Sequence, residues 1–458
     1  MKSYRIYTLV CIVSMLGIVA CSNWLDEKPD ISLVVPKNIE DYQAILDNSN
    51  SIFNVNQPAL GEIASDNFFV SNSTWQSWPT VTERNTYKWA DDPYEGTFSH
   101  DWRFAFERIL TANIVLEGIE KIYPGESDEM KLANWKKVKG SALFFRAFDF
   151  YNLTQIFCKP YDPLSAKMDL GLPLRLSSSV NEKSVRASLQ ETYDQIFNDL
   201  QLAVSLLPNI SNNPTTPSKP SAYALLSRIY LSIENYNQAL LNADLCLQLK
   251  NELVDYNTLD GANIFPIPIF FGEDIFHSDL APYAALNLIS GCIIDTSLYN
   301  TYSENDLRRT IFYREFSDDL RFWGSYSTPT DVYGGLATDE IYLIRAECYA
   351  RKNITTQALN DLNTLLSKRF KSGTFTPLKA TTADEVLRLI LTERRKELVF
   401  RGVRWTDLRR LNKDSRFAIT LKRTVNGQVF TLPPNDARYT FPIPPDEIRT
   451  SGIEQNPR

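Results

Sequence analysis

Histidine is nearly missing: His100 and His277 are the only two in 458 residues. Zinc sites and proton-shuttle chemistry are therefore poorly supplied. Basic side chains are outnumbered, 48 Lys and Arg against 55 Asp and Glu, for a formal charge of -7. That excludes a general nucleic-acid binder, which needs a positive field. There is no GxSxG elbow, no Walker loop, no HExxH and no GxGxxG, so the common hydrolase, nucleotide and metalloprotease signatures are absent. There is no CxxC either. Cys158, Cys246, Cys292 and Cys348 are widely spaced, and Cys246 and Cys348 fall on apolar positions of predicted helices, the pattern of buried free thiols. No stretch reaches the roughly 20 apolar residues of a membrane span. What remains is a globular composition, 43% hydrophobic and 22% charged, which rules out wholesale disorder. Such a length suits one large domain or two to three average ones. The abundance is aromatic: 8 Trp, 22 Tyr and 25 Phe.

Residues 1–20 read as a secretion signal, with Lys2 and Arg5 ahead of an apolar run from Leu9 to Ala20. The run stops at Ile18-Val19-Ala20-Cys21, a small residue directly before cysteine, close to a bacterial lipoprotein processing site. Acylation of the Cys21 thiol would anchor the mature chain without a spanning helix; an ordinary cleaved signal beside an incidental cysteine is the alternative. Ser22, rather than Asp, follows, as in lipoproteins bound for the outer membrane. Residues 21–37 then form a lipidated tether.

Helical periodicity covers most of the body. It predicts helices at Asn38–Asn50, Trp102–Ile122, Trp135–Phe157 and Leu189–Leu207, with a Pro-rich loop over 211–220. Two segments, 221–249 and 338–368, share a spacing: Ser227, Tyr230 and Ala239 recur as Ala346, Tyr349 and Ala358. Small residues that let two helices approach, with an aromatic plugging the gap, are the packing code of tetratricopeptide repeats; unrelated helical hairpins are the competing reading. The fold class expected is all-α, a tetratricopeptide-like helical scaffold carrying long loop excursions and a few short strands. The loop-rich stretches are 52–100 and 251–336, and a small hairpin is expected at Gly427–Phe441. Long loops on a rigid scaffold are where function usually sits.

Carboxylate pairs at Asp91–Asp92, Glu273–Asp274 and Asp318–Asp319 read as solvated loops rather than glycosidase pairs. The charges of Glu393–Glu397 and Arg401–Arg410 alternate at helical spacing, so they read as a salt-bridged structural helix. Aromatics are the better lead. Trp75, Trp78, Trp89 and Trp102 crowd one loop-rich stretch, and Trp323 and Tyr326 sit among Gly324, Ser325 and Ser327 in the other. A flat apolar ring in a polar loop suits the C–H face of a sugar, with neighbouring polar side chains bonding the hydroxyls. Trp89 and Trp102 adjoin regular segments and are read as pins for the loops. The expected ligand platform is Trp75, Trp78, Trp323 and Tyr326, with Asp66, Asn67 and Arg321 as hydroxyl partners. No metal or cofactor set is visible, and the chain is expected to bind rather than to catalyse.

Several landmarks resemble the SusD/RagB family of outer-membrane lipoproteins. They are Cys21-Ser22-Asn23-Trp24-Leu25-Asp26-Glu27-Lys28-Pro29, then Gly140–Tyr151 with Gly171-Leu172-Pro173-Leu174, and then Ala187–Pro208. The most specific runs from Glu393-Arg394-Arg395-Lys396-Glu397-Leu398 through Gly402-Val403-Arg404-Trp405-Thr406-Asp407-Leu408-Arg409-Arg410. Phe441-Pro442-Ile443-Pro444 and Gln455-Asn456-Pro457 close the series. The resemblance implies a single domain over 38–458, with a helical part at about 38–250, a ligand-face insertion at 251–336 and a helical part at 337–458. It further implies a surface-exposed, lipid-anchored protein of a Gram-negative outer membrane, partnered with a TonB-dependent transporter. The ligand would be a glycan or, alternatively, a peptide. Arg394, Arg395, Arg404, Asp407 and Arg409 would then lock the C-terminal helices through ion pairs. The chain departs from the family at its end, Arg458 standing where members often finish in Gly-Tyr.

Overall fold

The computed structural model describes residues 36–288, 291–316, 318–328 and 330–458. The signal segment, Cys21 and the tether through residue 35 lie outside the described residues. Helices dominate, and side-chain caps fix where several begin. Ser99 accepts from Trp102 N to open His100–Lys121, and Asp128 accepts from Lys131 N to open Glu129–Phe157. Reciprocal capping boxes, Ser188 with Glu191 and Thr382 with Glu385, start Leu189–Leu206 and Ala383–Glu397. The C-terminal half of Glu129–Phe157 is buried nearly all round, including Phe144, Phe145, Phe148, Phe150 and Tyr151. A helix apolar on every face belongs at the centre of a core, and this one packs against both His100–Lys121 and Leu189–Leu206.

The spacing repeat is a structural repeat. Lys219–Ser232 pairs with Tyr236–Leu249, Thr338–Arg351 pairs with Thr355–Ser367, and the second pair stacks on the first. Ser227, Ala239, Ala346 and Ala358 are all fully buried, as close helix approach requires. The turns match too. Glu234 and Asn353 stand seven residues after Ser227 and Ala346, with φ of 61° and 60°. Each turn closes with a 2.9 Å bond, from Asn235 N to Tyr230 O and from Ile354 N to Tyr349 O. A left-handed residue followed by such a bond terminates a helix in the Schellman manner.

Among the described residues, strands occur as five antiparallel pairs. Leu421–Val425 and Gln428–Leu432 form a hairpin around Asn426 and Gly427, both at positive φ, the demand of a tight two-residue turn. It replaces the hairpin expected at Gly427–Phe441. The 52–100 stretch is also less irregular than its composition suggests, containing the short helices Leu60–Ala64, Asn72–Ser77 and Val81–Tyr87.

The charged C-terminal motif is a lattice of buried ion pairs. Arg394 Nε meets Asp407 at 2.8 Å, Arg410 meets Glu347 at 2.6 Å, and Arg401 meets Asp339 at 2.9 Å. Arg308 reaches Glu393 and Glu397. Arg409 departs from the expectation: it donates to the carbonyls of Thr154, Gln155 and Cys158, capping the C-terminus of the central helix. Glu273 and Asp274 are not a solvated pair. Both are buried, Glu273 against Arg369 at 2.9 Å and Asp274 against His277 Nδ1 at 2.6 Å. The four cysteines of the body are free and buried, and burial pushes the Cys246 thiol up to about 12.

Candidate functional site

The two loop-rich regions meet. Phe68 and Phe69 pair antiparallel with Ile294 and Ile293, and that strand lies against Asp319–Phe322. Below the junction, the rings of Phe68 and Phe322 both contact Phe400, at 6.0 and 4.9 Å.

The most informative unit is the hairpin Tyr313–Phe316 with Asp319–Phe322. Its register is Tyr313 opposite Phe322, Arg314 opposite Arg321, Glu315 opposite Leu320 and Phe316 opposite Asp319. A bond from Trp323 N to Phe312 O extends the pairing by one residue. Alternation then sorts the side chains. Tyr313 and Phe322 point into the core. Arg314, Phe316, Asp319, Arg321 and Trp323 share the other face. Phe316 is 50% exposed, and Trp323 is half-buried with the Arg314 guanidinium 5.2 Å above its ring. Arg314 also donates to the carbonyls of Gly261 and Asn263, strapping the preceding loop to the hairpin. That loop carries Ile264 and Phe265, both exposed. Phe69 is exposed on the neighbouring strand. Rings presented to solvent on strapped loops can stack on the apolar face of a ligand.

The seven residues singled out from sequence do not form one platform. Tyr326 is only 1% exposed. Its hydroxyl donates to Asp339 at 2.9 Å and lies 3.1 Å from that of Tyr256, while Arg401 covers its ring at 4.0 Å. Trp78 is buried edge-on against Tyr87. Asn67 is buried between Glu62, to which it donates, and Arg395, from which it accepts. These three are structural, because their polar atoms are already satisfied or enclosed by the scaffold. Asp66 accepts from Arg404 through both oxygens, and Arg395 lies 3.7 Å away. Arg321 is buried, with one bond to Asp319 at 2.7 Å. Trp75 is half-buried and donates from Nε1 to Arg84 O at 3.0 Å. No ring contact among the described residues joins Trp75 or Trp78 to Trp323 or Tyr326. Trp89 and Trp102 are buried pins, as expected.

Sequence reasoning missed Phe69, Phe265, Phe316 and Arg314. Tyr313-Arg314-Glu315-Phe316 shows no period-two alternation of rings, so only the hairpin register reveals that Tyr313 and Phe316 lie on opposite faces. Beneath the junction, burial raises Glu62 to about 7 against the opposing pull of Asn67 and Arg395. Arg423 is buried without a carboxylate, donating to the carbonyls of Tyr87 and Ser65, and burial lowers it to about 10. Two concavities lie elsewhere. One of about 750 Å³ is walled by Phe98, Trp102 and Phe106, and one of about 710 Å³ by Lys159, Arg409 and Tyr439. Among the described residues, no group of three or more His, Cys, Asp or Glu could hold a metal ion. No helix there is long and apolar enough to cross a membrane.

Comparison with known proteins places this architecture. Residues 23–231 match a SusD-like family model described as starch-binding and associating with the outer membrane, and residues 336–458 match the SusD family model. The chain is 25% identical to SusD-like protein P2 of Formosa agariphila, over 100% of this chain and 99% of that protein. A SusD superfamily protein from Bacteroides thetaiotaomicron superposes with a TM-score of 0.74 at 21% identity, covering 92% of this chain and 100% of the other. A putative sugar binding protein from Bacteroides vulgatus gives 0.73 at 21% identity, covering 93% and 99%.

Proposed function

The chain belongs to the SusD/RagB family, and on that premise we propose that it captures oligosaccharides at the cell surface. In this reading it is anchored to the outer membrane through lipids on Cys21 and delivers its ligand to a TonB-dependent transporter. The observation that carries the proposal is the exposure of Phe316, Trp323, Phe265 and Phe69 where the two loop-rich regions meet. These rings stand exposed or half-exposed while Tyr326, Trp78, Phe322 and Phe68 beside them are buried. A sugar ring stacks on such faces and bonds neighbouring polar groups. The family description and the sugar-binding name of a structural neighbour point the same way. Weak capture suffices, since anchoring beside a transporter raises the local concentration.

The test is affinity electrophoresis of the purified protein through gels containing neutral and charged polysaccharides, followed by chromatography of the recovered polymer. Retardation with the polymer unchanged supports a capture protein. Release of shorter products would make it an enzyme. Binding confined to peptides would transfer the same face to a peptide-capturing relative.

A further inference from the structure

The outward face of the 313–322 hairpin is unbalanced in charge and in hydrogen-bonding capacity. Arg314 and Arg321 stand directly opposite one another, a placement that destabilises a strand pair when both residues are cationic. Asp319 is bonded to Arg321 at 2.7 Å, and Asp260 acts on Arg314 only from a distance. Arg314 forms no ion pair among the described residues; its bonds go to the carbonyls of Gly261 and Asn263. Arg321 is 7% exposed, yet its Nε and Nη1 have no hydrogen-bond partner among the described residues, and neither does Nε1 of Trp323 two residues on. The open capacity is therefore entirely donors. Behind the junction Arg395 and Arg404 face Asp66, and Arg423 donates to the carbonyls of Tyr87 and Ser65. The hairpin also carries Glu315 on its other face and Asp318 in its turn, so the imbalance is confined to the face shared by Arg314 and Arg321.

A sugar hydroxyl both donates and accepts, so it matches a set made of donors alone less well than a pure acceptor does. A carboxylate or sulfate only accepts, and it matches the planar fork of a guanidinium. Building on the glycan-capture reading, we infer that this hairpin selects saccharides bearing an oxyanion, a uronate carboxylate or a sulfate ester, held by Arg314, Arg321 and Trp323.

The experiment uses matched polymers: polygalacturonate against neutral galactan, and dextran sulfate against dextran. Affinity electrophoresis of the full-length lipoprotein in detergent should show at least one charged polymer bound about tenfold or more tightly than its neutral match. That advantage should shrink as salt rises. Which pair shows it distinguishes carboxylate from sulfate. The net negative charge of the chain opposes unspecific attraction to either polyanion. Arg314→Gln and Arg321→Gln should each bring the charged-to-neutral affinity ratio down toward one; the ratio is the readout because Arg314 also holds the loop that carries Phe265. If Arg321→Gln fails to fold, the half-exposed Arg314 carries the test alone. Neutral polymers bound as well as charged ones, or a preference that survives Arg314→Gln, would overturn the inference and leave glycan capture standing. Retardation by no polysaccharide would overturn both.

Discussion

Asp66 and Arg404 form a two-point ion pair, with Nε at 2.7 Å and Nη2 at 2.8 Å from the two carboxylate oxygens. The pair fastens the first loop region to the helix that carries the most specific sequence motif. Burial alone would raise the Asp66 carboxyl, but Arg404 and then Arg395 outweigh it and hold the group well below the usual range. Asp66→Asn should lower stability by about 2 kcal/mol, as for a charge-assisted hydrogen bond, read as a shifted urea midpoint with unchanged slope. Because the folded value is depressed, this stability is present above about pH 4 and is lost as pH falls. The variant should therefore lose its disadvantage in acid.

Tyr326 separates packing from binding. Its hydroxyl serves Asp339 and Tyr256 inside the core. Tyr326→Phe should lower stability by about 1–3 kcal/mol and leave saccharide affinity within about twofold. A large loss of affinity at unchanged melting temperature would return Tyr326 to the ligand face.

Two sets of carboxyls oppose each other in pH dependence. Burial raises Glu62 to about 7 and Asp101, Asp149 and Asp279 to about 6 each, and it raises Glu273 as well. These groups keep a proton that the unfolded chain has already released. Their contribution is full below about pH 4 and is lost as pH rises through 6 to 8. Asp407, held at about 2 by Arg394 and Arg410 against the effect of burial, acts in the opposite sense with Asp66. The melting temperature should peak at about pH 4, where the two sets meet, and fall toward pH 8. Glu62→Gln should flatten part of the alkaline limb. A melting temperature that rises steadily from pH 5 to 8 would contradict this assignment.

The proposed lipid anchoring is tested at Cys21. Several acyl chains on one residue exceed the marginal hold of a single chain, so Cys21→Ala should move the protein from the membrane fraction to the soluble fraction. A variant that stays with the membrane would show that something other than lipid holds it.

The helices were legible because local chemistry specifies them. Ser188 with Glu191 opens one, and the Ser227-Tyr230-Ala239 spacing marks a hairpin whose turn recurs at Asn353. Short helices such as Leu60–Ala64 are too brief to show a period. The candidate site was legible only in part. Trp323 was readable as a ring in a polar loop, but so was Tyr326, and their opposite fates depend on distant partners. Asp339, Arg401 and Tyr256 enclose Tyr326, as Arg395 encloses Asn67 and Arg369 encloses Glu273. Nothing near these residues in sequence announces such contacts. Phe265 and Phe316 escaped notice for the converse reason: phenylalanine is the default core residue, and only the hairpin register turns Phe316 outward.

The most direct test of glycan capture at this face is the affinity of Trp323→Ala beside its melting temperature. A half-buried ring that stacks on a ligand should weaken saccharide binding at least several-fold when removed, with the melting temperature nearly unchanged. Trp75→Ala serves as the parallel measurement on the first loop region. If Trp323→Ala binds as the parent does, or if it melts far lower in the manner of a core tryptophan worth about 3–5 kcal/mol, then Trp323 only pins its loop and capture occurs elsewhere.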